Sequence, residues 1–99
     1  MRVISKSRLR DFWKKHPEAE APLMEWYKAT SRADWRNFAD VRDSFRHVDV
    51  YCDCVVFDIK GNDYRLITII LYPARHVYVR YVLTHAEYDK GNWKNDCNC

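Results

Sequence analysis

Residues 77–89 bring together several side chains that can bind phosphate or move a proton. Apolar residues alternate with other residues over 77–83, a pattern that predicts a strand. The chemically versatile residues of this stretch, with one arginine from the preceding predicted strand, are Arg65, Arg80, Thr84, His85, Glu87, Tyr88 and Asp89. Positive charge, a titratable imidazole and a phenol are groups with which RNA can be cleaved without a metal ion.

The two strand arginines have two interpretations. The planar guanidinium binds phosphate through paired hydrogen bonds, which would make Arg65 and Arg80 phosphate ligands. The alternative is that both are ordinary solvated or ion-paired arginines. Because alternate residues of a strand point to opposite faces, Arg80 should lie on the open face of the sheet, and the apolar residues between these positions should pack against the helices. That apolar set is Val77, Val79, Tyr81 and Leu83.

His85 is the candidate for proton transfer. Its ordinary pKa lies near neutrality, so an imidazole here can give or take a proton at cellular pH. The alternative is a surface or capping histidine in a short turn. Thr84 and Glu87 have the T-x-x-E spacing of a capping box, which would fix the turn that directs His85 and Tyr88.

Three further residues are candidate RNA contacts. Lys60 precedes a predicted hairpin turn and Asn62 lies in it, where both can reach backbone phosphates. Asn62 can equally be there because asparagine suits turn conformations. Arg36 could add a phosphate contact and Trp35 a stacking contact, although the sequence favours Trp35 as a core residue.

Composition bounds the class of protein. The chain has 99 residues, 47% of them hydrophobic, and a formal net charge of +3. This length fits one domain with a core of its own, and the charge permits but does not require a nucleic-acid partner. We expect a domain over residues 1–90 and a flexible tail over 91–99. No signal sequence or membrane span is evident, so the expected location is cytoplasmic.

The four cysteines form two C-x-C pairs, Cys52 with Cys54 and Cys97 with Cys99. This spacing is a poor match to zinc sites, which usually have two to four intervening residues. In a cytoplasmic chain the thiols are expected to be reduced and non-essential. The remaining histidines, His16, His47 and His76, show no clustered partners, and the sequence predicts neither a metal nor a cofactor.

Periodicity predicts an α+β fold. The predicted helices are 5–16, 18–32 and 37–45, and the predicted strands are 1–4, 48–51, 55–60, 64–72 and 77–83. The strands should form a small antiparallel sheet with the N-terminal helices packed on one face. The opposite face would then be free for function.

Five segments resemble the HigB toxins, which are bacterial mRNA interferases of the RelE superfamily. These segments are 1–5, 35–41, 57–62, 64–67 and 78–89, so the resemblance extends over most of the chain in the same order. It implies a RelE-like fold and endonucleolytic cleavage of mRNA on the translating ribosome. It also implies a HigA antitoxin, a helix-turn-helix protein, as partner.

Residue by residue, the resemblance implies that Arg65 holds the scissile phosphate. It places His85 where RelE-like toxins have an arginine or histidine, and Tyr88 near their C-terminal tyrosine. Arg80 belongs to the Tyr-Val-Arg pattern of this branch. A lysine pair or glutamate base, common in the superfamily, has no clear equivalent beyond Lys60. Two other classes stay open: a non-catalytic RNA- or ribosome-binding module, and a metal-responsive regulator that uses the C-x-C pairs.

Overall fold

Five strands and four α-helices make up most of the computed structural model, which describes residues 1–99. The α-helices are α1 (Lys6–Lys15), α2 (Glu20–Arg32), α3 (Phe38–Ser44) and α4 (His85–Lys90). The strands are β1 (Arg2–Ile4), β2 (Asp49–Tyr51), β3 (Cys54–Ile59), β4 (Tyr64–Leu71) and β5 (His76–Thr84). Two 3₁₀ helices cover Pro17–Ala19 and Asn92–Asp96. These elements confirm the predicted α+β class.

The helix boundaries follow local chemistry. α1 ends before Pro17, whose ring disfavours helix at the preceding residue. The Asn37 side chain accepts a hydrogen bond from the backbone N–H of Asp40 and so caps α3, as predicted. Ser5 stands at the N-cap of α1 but makes no capping bond with its side chain. None of the helices has the length and apolar character needed to cross a lipid bilayer.

The sheet has the strand order β1-β5-β4-β3-β2. Strands β2 to β5 pair antiparallel, as predicted, but β1 runs parallel to β5, with Val3 opposite Val77. The prediction of a wholly antiparallel sheet is therefore wrong for the edge strand β1. The reason is topological: α1, α2 and α3 intervene between β1 and the other strands, and a parallel pair needs such a long connection.

The main core lies between the helices and one face of the sheet. Phe57 of β3 is at its centre and is 1% exposed. The rings of Trp26, Trp35 and Phe45 lie around it, with centroids 5.4, 6.1 and 5.2 Å away. Trp35 is thus a core residue, as the sequence favoured, and its indole N–H donates to the Ser44 hydroxyl. It is not available to stack on RNA.

A β-bulge divides β5 into two halves that face opposite ways. Thr68 pairs with Val79, but its neighbour Ile67 pairs with Tyr81, so Arg80 is the extra residue. Before the bulge, Val79 points into the helix-side core; after it, Tyr81 and Leu83 pack on the other face. The expectation that Tyr81 and Leu83 meet the helices is therefore wrong, because one inserted residue reverses strand parity.

The C-terminal segment is folded rather than loose. Residues of the second 3₁₀ helix cover part of the sheet face opposite the helices, and Trp93 is 4% exposed there. Trp93 and Cys97 form a small core with Cys54, Val56 and Ile67. Part of the segment expected as a flexible tail over 91–99 is thus packed on the sheet in this structure, and the face expected to be open is partly covered.

The cysteines are paired in two disulfides, Cys52–Cys99 and Cys54–Cys97. The expectation of four reduced thiols is therefore not met in this structure. The tail returns beside the turn between β2 and β3, where the Asp53 N–H donates to the Cys97 carbonyl at 2.9 Å. That return brings the two C-x-C pairs next to each other.

Candidate active site

Arg65 is the best-anchored of the candidate residues. It lies near the start of β4 on the face away from the helices, directly opposite Asp58 of β3. Its Nε is 3.3 Å from a carboxylate oxygen of Asp58, and its Nη1 donates to the Asn62 carbonyl at 2.8 Å. The side chain is only 14% exposed. These contacts hold the guanidinium in one orientation, with donors left over for a ligand.

Tyr88 lies against Arg65. The guanidinium carbon of Arg65 is 5.0 Å from the centre of the Tyr88 ring, within the range of a cation–π contact. The two residues come from β4 and α4, which are joined through β5. Together they line a cleft of about 360 Å³ that also includes Arg46, His47 and Asp58. The cleft therefore has a second arginine that the sequence had not indicated, together with two carboxylates, Asp49 and Asp58.

Arg46 and His47 were not predicted as site residues. They lie just before β2, and only the pairing of β2, β3 and β4 brings them to Arg65. Nothing in their local sequence marks them, because the contact depends on strand order rather than on spacing along the chain.

The predicted capping box forms and begins α4. The Thr84 hydroxyl accepts from the Glu87 N–H at 3.3 Å, and Glu87 accepts from the Thr84 N–H at 2.9 Å. The backbone hydrogen bond from Thr84 is the main reason that the pKa of Glu87 lies below its usual value. This cap fixes where the next helical turn starts, and so where His85 and Tyr88 stand.

His85 and Asp89 form a pair on the outer surface of α4. The Nδ1 of His85 is 3.0 Å from a carboxylate oxygen of Asp89, and their side chains are 53% and 62% exposed. Residues three and four apart lie side by side on a helix, so His85 also neighbours Tyr88. The carboxylate orients the imidazole and leaves Nε2 for proton exchange. Asp89 was among the chemically versatile residues of the sequence, but its contact with His85 was not predicted.

Arg80 lies elsewhere. Its place in the bulge takes it to a groove of about 290 Å³ between α1 and β5, with Arg8, Lys15 and His16. Its carbonyl accepts a hydrogen bond from Arg8 Nη1 at 2.6 Å. The structure therefore does not bring Arg80 to Arg65, and the two arginines belong to different surfaces.

The groove also gives His16 partners that the sequence did not reveal. The His16 ring stacks on Phe12 with centroids 4.5 Å apart, and its Nδ1 is 3.9 Å from the Glu18 carboxylate. The Tyr64 hydroxyl donates to that same carboxylate. This bond raises the pKa of Tyr64 to about 12 and lowers that of Glu18.

The predicted RNA contacts are spread over the surface. Lys60 is at the hairpin turn with its ammonium 3.4 Å from Asp63, and Asn62 touches Arg65 through its backbone carbonyl. Arg36 pairs with Asp40 at the start of α3, close to Arg75 of the β4–β5 turn. That turn is at the other end of β4 from Arg65, roughly 20 Å away for six strand residues. Lys60 and Asn62 are thus near the Arg65 end of the sheet, and Arg36 is not.

Helices α1 to α3 on one face of a five-stranded sheet form an α+β fold of the RelE-like class. Comparison with known families agrees. The family model described as the HigB toxin, a RelE-like toxic component of a toxin-antitoxin system, matches residues 19–91. Because this match covers most of the chain, the protein belongs to the HigB toxin family.

Curated relatives extend the match to almost the whole length. The mRNA interferase HigB of Escherichia coli O6:H1 (strain CFT073) is 28% identical over 93 residues, which is 91% of this chain and 90% of the relative. The mRNA interferase toxin HigB of Escherichia coli K12 is 24% identical over 95 residues, or 90% and 88% of the two chains. The mRNA interferase HigB of Shigella flexneri matches to the same extent.

Proposed function

We propose that this chain is an mRNA interferase, an endoribonuclease that acts as the toxin of a type II toxin–antitoxin system. Family membership and the names of the relatives support the activity. The observation that carries the proposal is the contact between Arg65 and Tyr88 in a cleft that also contains Arg46, with the His85–Asp89 pair on the same helix as Tyr88. Arg65 can supply positive charge, and the His85–Asp89 pair on the adjoining helix can supply proton transfer.

The proposed reaction is attack of an RNA 2′-hydroxyl on the adjacent phosphate, which requires RNA rather than DNA. The bond to the 5′-oxygen breaks, and the products are a 2′,3′-cyclic phosphate and a 5′-hydroxyl. Arg65 stabilises the negative charge that develops on the phosphate oxygens, through the donors that Asp58 and Asn62 leave unused. Charge stabilisation and proton transfer thus come from side chains, without a metal or cofactor.

His85 transfers the proton, either as general acid to the leaving 5′-oxygen or as general base to the 2′-hydroxyl. Asp89 holds the imidazole by Nδ1, so Nε2 is the atom that exchanges it. Tyr88 orients the base or phosphate beside Arg65. Arg80 contacts RNA backbone from the groove beside α1, and Lys60 and Asn62 do so from the hairpin turn.

A toxin of this family has an antitoxin as partner. We propose a helix-turn-helix antitoxin of the HigA type, and mRNA on the translating ribosome as substrate. The site of action is then the cytoplasm, where translation occurs.

The test is induction of the chain in bacteria, with and without its neighbouring antitoxin gene, followed by mapping of 5′ ends on an abundant transcript. We expect growth arrest and cuts within translated codons, both absent from Arg65→Ala and His85→Ala. Cuts outside translated regions would show that cleavage does not depend on the translating ribosome. Arrest without cuts, unchanged in His85→Ala, would replace the enzyme by the non-catalytic binding module.

A further inference from the structure

The helix that carries Tyr88 is poorly anchored by itself. α4 has six residues, and none of them is buried. Helices this short are unstable without tertiary packing, because nucleation costs more than a few hydrogen bonds return. The capping box fixes the start of the helix, but its bonds between Thr84 and Glu87 do not reach the Tyr88 ring. Some other part of the chain must therefore hold the Tyr88 ring beside Arg65.

Trp93 meets this requirement. Its ring stacks on that of Tyr88, with centroids 5.1 Å apart and planes 11° from parallel. Its indole N–H donates to the Tyr88 carbonyl at 3.0 Å. One residue thus holds both the ring and the backbone of Tyr88, and Trp93 is itself 4% exposed.

The buried disulfide holds Trp93 in turn. Cys97 lies four residues after Trp93, is bonded to Cys54 of β3, and both cysteines are completely buried in the core that contains Trp93. A second anchor comes from Tyr81, whose hydroxyl donates to Asp96. The connection therefore runs from the sheet through the tail to Tyr88. Trp93 and both tail cysteines lie outside residues 19–91, the part that matches the family.

We propose that Trp93 is a positioning residue for Tyr88, and that the buried pair Cys54 and Cys97, bridged in this structure, secures Trp93 against the sheet through their shared core. The inference rests on the proposed function, because it assigns Tyr88 a part in RNA cleavage. In this chain the tail then completes an active site that residues 19–91 do not complete alone.

The first test compares Trp93→Ala with Trp93→Phe in the full-length protein, by single-turnover cleavage of mRNA on purified translating ribosomes. Misplacing a catalytic group by about 1 Å costs on the order of 100-fold in rate, so we expect a loss of about 10- to 100-fold for Trp93→Ala. The half-saturating ribosome concentration should not change. Trp93→Phe keeps a stacking ring and should restore most of the rate.

A double-mutant cycle separates positioning from general stability. If Trp93 acts through Tyr88, Trp93→Ala should cost nothing further once Tyr88 is already alanine. Additive losses would overturn the inference. Near-ultraviolet circular dichroism gives a readout free of activity, since removal of either ring should abolish the same stacked-aromatic signal. Unchanged spectra in Trp93→Ala would also count against the inference.

The two disulfides provide a matched pair of variants. Removing the buried bridge with Cys54→Ser and Cys97→Ser should lower the cleavage rate, whereas removing the exposed bridge with Cys52→Ser and Cys99→Ser should have a smaller effect. Equal effects would overturn the role of the buried bridge.

Tyr88→Phe and Tyr88→Ala distinguish failure of the proposed function from failure of this inference. If both leave cleavage intact, the proposed role of Tyr88 fails; if they abolish it and Trp93→Ala does not, only this inference fails.

Discussion

Two surfaces of this molecule contain the same set of groups. On the sheet face opposite α1 to α3, Arg65 and Tyr88 line the cleft, and the His85–Asp89 pair lies on the surface of α4, the helix that carries Tyr88. Beside α1, Arg80 and His16 line the groove, and Tyr64 and Glu18 lie next to His16. Composition alone does not distinguish them, since each offers a guanidinium, a phenol, an imidazole and a carboxylate.

The two sets differ in how strongly their functional groups are already bound to partners within the protein. In the groove, the Tyr64 hydroxyl is bonded to Glu18, which raises the pKa of Tyr64 to about 12, and the His16 ring is stacked on Phe12. On α4, by contrast, the His85 side chain is 53% exposed and is held only by Asp89. Catalysis requires groups that can still change their bonding, so the comparison favours the cleft and α4 for the reaction, and leaves the groove a part in RNA binding and stability only.

Replacing the two histidines gives the largest expected contrast. His85→Gln should lower cleavage by about 10²- to 10⁴-fold, the usual contribution of a general acid or base. His16→Gln should leave the rate within a few-fold, as measured by single-turnover cleavage on ribosomes. A large loss in His16→Gln, with His85→Gln near wild type, would reverse the assignment of the two surfaces.

Replacing the two arginines gives the next contrast. Arg65→Ala should lower the rate by about 10²- to 10³-fold, as loss of one charge-stabilising group does. Arg80→Ala should act on binding, weakening half-saturation with little change in maximal rate. Arg65→Lys keeps the charge next to Asp58 but loses the planar fork, so it should recover only part of the activity. Full activity in Arg65→Lys would mean that charge alone suffices.

Breaking the cap of α4 should give a smaller effect on both stability and rate. Thr84→Ala removes the N-cap hydroxyl and should cost about 1 kcal/mol of unfolding free energy. Thr84→Ser keeps the hydroxyl and is the control, measured by thermal unfolding alongside cleavage. Because the same helix carries His85 and Tyr88, a cap loss that changed stability but not rate would argue that Trp93 alone positions them.

The smallest expected effect concerns the groove and pH. The pKa of Glu18 is lowered chiefly by the hydrogen bond from Tyr64. The bond therefore stabilises the folded state fully at pH values above 4.5, the ordinary pKa of the carboxyl, and this stabilisation is lost as the pH falls through the pKa of Glu18 in the folded state. Tyr64→Phe should therefore be less stable than wild type at pH 7, with the gap closing at pH 3. Thermal unfolding at both pH values checks this, and cleavage should be unaffected.

The sequence predicted local features better than long-range ones. Asn37, the Thr84–Glu87 capping box and Pro17 were correct because each acts within a few residues. Arg65 was found because it lies next to a turn, and its contact with Tyr88 follows from strand order. The class of fold was also predictable from periodicity.

The errors have one physical origin, which is that they depend on contacts between distant segments. The bulge at Arg80 has no local signature, yet it moves that residue to another surface. The folded tail depends on Trp93 meeting β3 and β4, and the disulfides depend on that same return. His47 joined the cleft through strand pairing in the same way.

The parallel pairing of β1 with β5 sets an order of events during synthesis. Val3 is synthesised early, but it can pair only after Val77, its partner 74 residues later in the chain, has been made. At about 5–20 residues per second this interval lasts about 4 to 15 seconds. Tyr88 and Trp93 are made later still. A nascent chain therefore carries no assembled cleft until Tyr88 and Trp93 have been made.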